Sequence, residues 1–172
     1  MKKVMLILCA IFSVLTGKKT RKVRKPSVLK AGNGYGFPAD FPVLIKSDGF
    51  GKGGMLYGFG GDSTLDKIGN RGKITRNPVV LIHGNGVHAE DEEYGWIYWR
   101  KYLKEAGYHD SEIWAVSYLG KPYVAQLKNP VRTNINDVRK FIDSVIEYLG
   151  VKRVDIIGHS LGCNLIRSYL RG

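Results

Sequence analysis

Short apolar runs recur in the second half of the chain and predict the strands of a sheet. Residues 79–82 are four consecutive apolar side chains, which is typical of a strand that is buried on both faces. Residues 112–118 and 153–157 are two further runs of this kind. Upstream, residues 43–45 and 55–57 are weaker strand candidates, because glycine-rich turns surround them.

Between and after these runs, apolar residues recur at helical spacing. They predict helices over residues 94–106, from residue 133 or 134 to 149, and over 161–170. On the first helix, the same spacing predicts four core residues, Tyr98, Trp99, Tyr102 and Leu103. Acidic residues just before this helix suit the positive end of its dipole, so they need no metal. Alternation of strands and helices predicts an α/β fold with a mostly parallel sheet and flanking helices.

The last predicted strand is followed by a G-x-S-x-G pattern, made of Gly158, His159, Ser160, Leu161 and Gly162. A serine on a sharp strand-to-helix turn projects its hydroxyl outward, and the glycines let strand and helix approach closely. The N–H of Leu161 would then lie at a helix N-terminus, where it can help to hold a developing oxyanion. The pattern predicts a nucleophilic Ser160, with His159 as a packed or partly exposed turn residue.

The strand predicted at residues 79–82 leads directly into a second motif, His83, Gly84 and Asn85. Together, the two motifs resemble the α/β-hydrolase superfamily, and within it the class 2 lipases and the related polyester depolymerases. This resemblance implies that Ser160 is the nucleophile and that the N–H groups of Asn85 and Leu161 form the oxyanion hole. It also implies that His83 is a structural histidine rather than the base. The expected activity is hydrolysis of lipid or other hydrophobic esters.

The chemistry implied by this resemblance is acyl transfer to a serine, which needs neither a cofactor nor a metal. The expected substrate is a lipid or another hydrophobic ester. Aromatic residues near the second motif, including Trp96 and Trp99, agree with such a substrate. No Cys/His spacing typical of a metal site occurs in the sequence.

In this superfamily an Asp or Glu and then a His follow the nucleophile, and residues 161–172 contain none of these. We therefore expect the triad acid and base to be missing from their usual positions, and the chain to be the N-terminal half of the fold. An unpaired edge at residues 153–157 would fit a shortened sheet. Two alternatives stay open. His88 with Asp91 serves as the base, or the chain is a non-catalytic remnant or binding module.

The net charge of +12 belongs mainly to the N-terminus. Residues 1–30 hold nine of the 27 basic residues and no acidic one, so the rest of the chain is nearly balanced. Binding to nucleic acid is therefore not expected. Residues 18–30 predict a basic linker whose charge suits an anionic membrane surface.

Residues 1–17 combine a basic start with an apolar run, which predicts a secretory signal peptide and a secreted or extracytoplasmic protein. A membrane anchor is the alternative, because the basic residues that follow oppose translocation.

Residues 31–172 predict one partial hydrolase domain. Within it, residues 31–77 are loops and short strands, and residues 78–172 are the strand–helix units. Of the two cysteines, Cys9 would leave with the signal and Cys163 would fill a gap behind the nucleophile turn, so no disulfide is expected.

Overall fold

The structure is a computed structural model that describes residues 11–15, 36–38, 40–41, 58–61, 72–91, 94–118 and 130–172. The predicted linker at residues 18–30 and the strand candidates at 43–45 and 55–57 lie outside these ranges. None of the described helices is long and apolar enough to cross a membrane.

Within the described residues, five strands form one mixed sheet: β1 (Ile11–Leu15), β2 (Gly58–Gly60), β3 (Val79–Ile82), β4 (Ile113–Val116) and β5 (Arg153–Gly158). Their order across the sheet is β1-β5-β3-β4-β2. The three central strands run parallel, because β3 pairs in parallel with both β4 and β5. The two edge strands are antiparallel to their neighbours. The α/β class with parallel strands and flanking helices is confirmed.

In the part of the chain that the structure describes, three α-helices flank the sheet: α1 (Ile97–Glu105), α2 (Pro130–Leu149) and α3 (Leu161–Arg171). The second helix begins three residues earlier than predicted, at Pro130. Proline is favoured at a first helical position because the missing N–H would have no partner there. A short 3-10 helix at Asp110–Glu112 shortens β4 relative to the predicted strand.

Alternate side chains of the central strands pack into two different cores, as the pleat of a strand requires. Val80 and Ile82 face the core formed with α2 and α3, together with Trp114. Val79 and Leu81 face the other core, which contains residues of α1. All four residues of β3 are buried, so the prediction of a strand covered on both faces is confirmed.

The β5 edge is not bare, which corrects the sequence-based expectation. Ile11 lies opposite Ile157 and Leu15 lies opposite Arg153, so β1 covers the whole length expected to be exposed. The two paired segments are far apart in the sequence, so no local sequence pattern predicts their pairing. The same five residues belong to the predicted signal peptide.

The first helix buries a different face from the one that its aromatic spacing predicts. Tyr98 is 68% exposed, Tyr102 63% and Trp99 39%, so their assignment to the core is wrong. Leu103, the fourth residue of the predicted set, is buried as expected, and Trp96, which precedes the helix, is buried as well. Tyrosine and tryptophan tolerate this exposure because each carries a polar group on an apolar ring.

Candidate active site

Ser160 occupies the turn between β5 and α3 in a strained backbone conformation. Its φ of 51° and ψ of −116° make it the only non-glycine residue with positive φ in the described part of the chain. Such a conformation costs about 1–3 kcal/mol and persists only where the surrounding structure enforces it. Ser160 is exposed, and its hydroxyl makes no hydrogen bond to any described residue. The turn therefore presents an open hydroxyl.

Gly162 makes this turn possible through close backbone contact. A Cβ atom at position 162 would overlap the carbonyl oxygen of Ile82 and lie 2.8 Å from that of His83. The first turn of α3 therefore rests directly on the end of β3. The N–H of His159 strengthens this junction by donating to the Ile82 carbonyl at 3.1 Å.

Gly158 and Gly84 bring two further segments against the turn. A Cβ at Gly158 would lie 3.0 Å from the backbone nitrogen of Cys163, whose Sγ is 3.1 Å from the Gly158 carbonyl oxygen. A Cβ at Gly84 would lie 2.7 Å from Nδ1 of His159 and 3.1 Å from Cβ of Ser160. The loop after β3 is thus pressed against the serine turn, with no room for side chains between them.

Two unpaired backbone donors lie on the segments that meet at Ser160. In α3, the N–H of Gly162 donates to the His159 carbonyl at 2.8 Å, and that of Cys163 to the Ser160 carbonyl at 3.0 Å. The N–H groups of Leu161 and Asn85, by contrast, donate no hydrogen bond within the ranges that the structure describes. Free N–H groups beside a nucleophile are suited to stabilising negative charge on an oxygen.

His83 is fully buried beside Tyr118. The two rings are stacked, with centroids 4.0 Å apart and an interplanar angle of 6°. The Tyr118 hydroxyl donates to the His83 carbonyl, and Nδ1 of His83 lies 2.7 Å from the Gly84 carbonyl oxygen. Burial is the main cause that lowers the pKa of His83 to about 4, against hydrogen bonds from the ring to the backbone of Gly84 and Tyr118, which raise it, and with smaller lowering effects of the nearby His88 and His159. His83 is therefore neutral at pH 7.

The remaining histidines do not complete a catalytic set within the described residues. His159 is partly buried, and its Nδ1 has no hydrogen-bond partner. The carbonyl of His88 accepts the N–H of Asp91 at 3.3 Å, but neither side chain is hydrogen-bonded to Ser160. His109 is exposed. In the described residues no three His, Cys, Asp or Glu side chains form a group that could hold a metal ion.

Two features of this edge of the sheet escaped the sequence reasoning. Tyr118 follows β4 and supports His83. Glu90, interpreted from sequence as part of the acidic start of a helix, instead accepts the N–H of Gly58 at 2.6 Å and the hydroxyl of Ser117 at 2.9 Å. Since α1 begins only at Ile97, its first turn contains no acidic residue. Their position in the sequence could have indicated both features, because residues that directly follow parallel strands lie at the same edge of the sheet.

The strain at Ser160 predicts a stability difference between two variants at this position. Ser160→Gly removes the steric cost of positive φ, whereas Ser160→Ala keeps a Cβ in the same conformation. We expect Ser160→Gly to be more stable than Ser160→Ala by about 1 kcal/mol, measured by urea unfolding. Ser168→Gly in the body of α3 is the control, and there glycine should be the less stable choice relative to alanine. Equal stability of the two Ser160 variants would contradict the strain.

A mixed sheet with three parallel central strands, helices on both of its faces and a serine at positive φ between strand and helix define the chain as an α/β-hydrolase. The family Lipase (class 2) matches residues 76–172, which is more than half of the chain. The chain belongs to this family. The matched region begins just before β3 and contains both sequence motifs, so the family assignment and the site rest on the same segment.

Proposed function

We propose that this chain carries the nucleophile and oxyanion site of a carboxylic-ester hydrolase, with Ser160 as the nucleophile. The observation that carries the proposal is the conformation of Ser160, an exposed hydroxyl held at positive φ between β5 and α3. Structures keep such strain where function needs it. Membership of a lipase family supports ester hydrolysis as the reaction.

In the proposed reaction, Oγ of Ser160 attacks the ester carbonyl carbon while a base takes the hydroxyl proton. The carbonyl electron pair moves onto oxygen, and the N–H groups of Asn85 and Leu161 stabilise that charge. Collapse of the intermediate expels the alcohol, which takes the proton, and leaves an acyl-serine. Water then releases the acid and restores the serine. The proposal assigns the base and its orienting carboxylate to none of the described residues, since none bonds to Ser160.

The proposed substrates are lipid or other hydrophobic esters, and the support for this class is the family to which the chain belongs. A series of p-nitrophenyl esters with acyl chains of increasing length tests it. The proposal expects faster acylation of Ser160 by the longer chains. A rate that falls steadily with chain length would overturn the hydrophobic preference while leaving ester hydrolysis intact.

A non-catalytic binding module is the second candidate. The observation that favours it is the lack of any hydrogen bond between Ser160 and an imidazole in the part of the chain that the structure describes. Such a module would retain the fold and the two motifs but would not form a covalent bond with an electrophile. Covalent labelling therefore separates the two candidates.

A fluorophosphonate probe, detected by intact mass and peptide mapping, is expected to label Ser160 in the folded chain. Preorganised oxyanion donors accelerate such reactions even without a complete triad, so labelling should be roughly 100-fold or more faster than in the urea-unfolded chain. Ser160→Ala should abolish the adduct, whereas Ser168→Ala, on the same helix, should label like the wild type. No adduct, or an adduct spread over several serines, would favour the binding module.

A further inference from the structure

The backbone of both Gly84 and Tyr118 interacts with the ring of His83, and the short contact between Nδ1 and the Gly84 carbonyl determines its tautomer. A carbonyl oxygen only accepts hydrogen bonds, so Nδ1 of His83, 2.7 Å from the Gly84 oxygen, must carry the ring proton. Nε2 is then a bare acceptor, and it is buried without a partner. The ring cannot turn to relieve this, because Tyr118 stacks on its face.

The Gly84 carbonyl belongs to the same peptide unit as the Asn85 N–H. No described peptide bond is cis, and in a trans peptide the C=O and N–H point in opposite directions. Holding the carbonyl against the buried ring therefore turns the Asn85 N–H away from the core, toward the exposed side of the loop. Asn85 and Ser160 are both exposed there, and Gly84 packs against Ser160.

We propose that His83, held in place by Tyr118, is a positioning residue that orients the Asn85 N–H toward the oxyanion through the Gly84 carbonyl. This inference rests on the proposed function, because it concerns the direction of an oxyanion donor. Glycine at position 84 has wide backbone freedom, so without the ring this peptide unit would rotate more easily. His83 thereby acts on the reaction without touching the substrate.

Three variants separate positioning from packing. His83→Asn keeps an N–H donor close to the place of Nδ1, while His83→Leu fills similar space without a donor. Tyr118→Phe keeps the stacked ring and loses the hydroxyl that bonds to the His83 carbonyl. His109→Asn, at an exposed histidine, is the control. The readout is the second-order rate at which a fluorophosphonate labels Ser160, with each variant first shown to be folded by circular dichroism.

We expect His83→Leu to slow labelling by about 10- to 100-fold, since loss of one oxyanion donor has effects of this order or larger. His83→Asn should recover to within roughly fivefold of the wild type, and Tyr118→Phe should lose a few-fold. Equal rates for the Leu and Asn variants, fast or slow, would overturn the inference. If His83→Leu does not fold, the Tyr118→Phe rate decides, and a wild-type rate there counts against it.

A spectroscopic measurement on the wild type separates failure of this inference from failure of the proposed function. Nitrogen-15 spectra of the imidazoles should show His83 protonated at Nδ1 and bare at Nε2 at pH 7. Protonation at Nε2 would overturn the inference even if Ser160 labels well. The opposite result is also possible: the chain does not label, its His83 is protonated at Nδ1, and the Asn85 amide resonance moves only in His83→Leu. This result would support the orientation of the Asn85 peptide by His83 and would overturn the proposed hydrolase function.

Discussion

Gly162→Ala is expected to destabilise the chain by about 3 kcal/mol and to lower its Tm by roughly 10 °C. The new methyl group would overlap the carbonyl oxygen of Ile82, a backbone atom of the central strand β3, which cannot move aside cheaply. Alanine has the better helix propensity, so without this contact the substitution would stabilise α3 by about 1 kcal/mol. A loss of stability, rather than a gain, would therefore show that position 162 is in close contact with the Ile82 carbonyl.

Gly86→Ala is the matched control for this experiment. Gly86, unlike Gly162, has positive φ, 77°, and a Cβ there would have no atom within 4 Å. Its expected cost is only the conformational penalty of about 1 kcal/mol. Urea unfolding of both variants gives the comparison. Equal losses would mean that the close approach of α3 to β3 costs no more than an unfavourable backbone conformation at an open site.

Acid is expected to unfold the chain through His83. The pKa of His83 is about 4 in the folded chain, against 6.5 for a histidine exposed to water, mainly because the ring is buried. Between these values the unfolded chain binds the proton and the folded chain does not, so stability is complete above pH 6.5 and falls as the pH drops toward 4. A difference of this size corresponds to roughly 3 kcal/mol lost over that window.

Urea unfolding at several pH values between 7 and 4 tests this prediction. The wild type should lose roughly 3 kcal/mol more than His83→Asn, which cannot titrate at that position. The exposed His109 supplies the control, because His109→Asn should keep the wild-type slope. A direct check is the proton resonance of the His83 ring, which should stay at its neutral position down to about pH 4. Parallel pH profiles of wild type and His83→Asn would contradict the prediction.

Local patterns in the sequence predict most of the central architecture. Residues 79–82 are the β3 strand as predicted, and the β5 strand and α3 helix agree to within one residue. These elements are predictable because an apolar run and a glycine turn are local features. The β2 strand, Gly58–Gly60, was missed because two of its three residues are glycines, which have low strand propensity.

Features that depend on distant parts of the chain were not predictable. The spacing of aromatic residues on α1 did not show which face of the helix meets the sheet. In the structure, that face is the one on which Trp96 and Leu103 pack into the core. At the candidate site, the motifs located Ser160 and the glycines around it. The support that Tyr118 gives to His83 spans 35 residues and has no sequence pattern of its own.

The place of β1 in the sheet imposes an order on folding. Ile11 pairs with Ile157, so this ladder closes a loop of almost the entire chain and adds strongly to contact order. A ribosome adds about 5–20 residues per second, so Ile11–Leu15 wait on the order of ten seconds for their partner strand to be made. Throughout that interval the apolar segment is available to whatever else binds it. The edge of the sheet next to β5 is therefore the last part of it that can form.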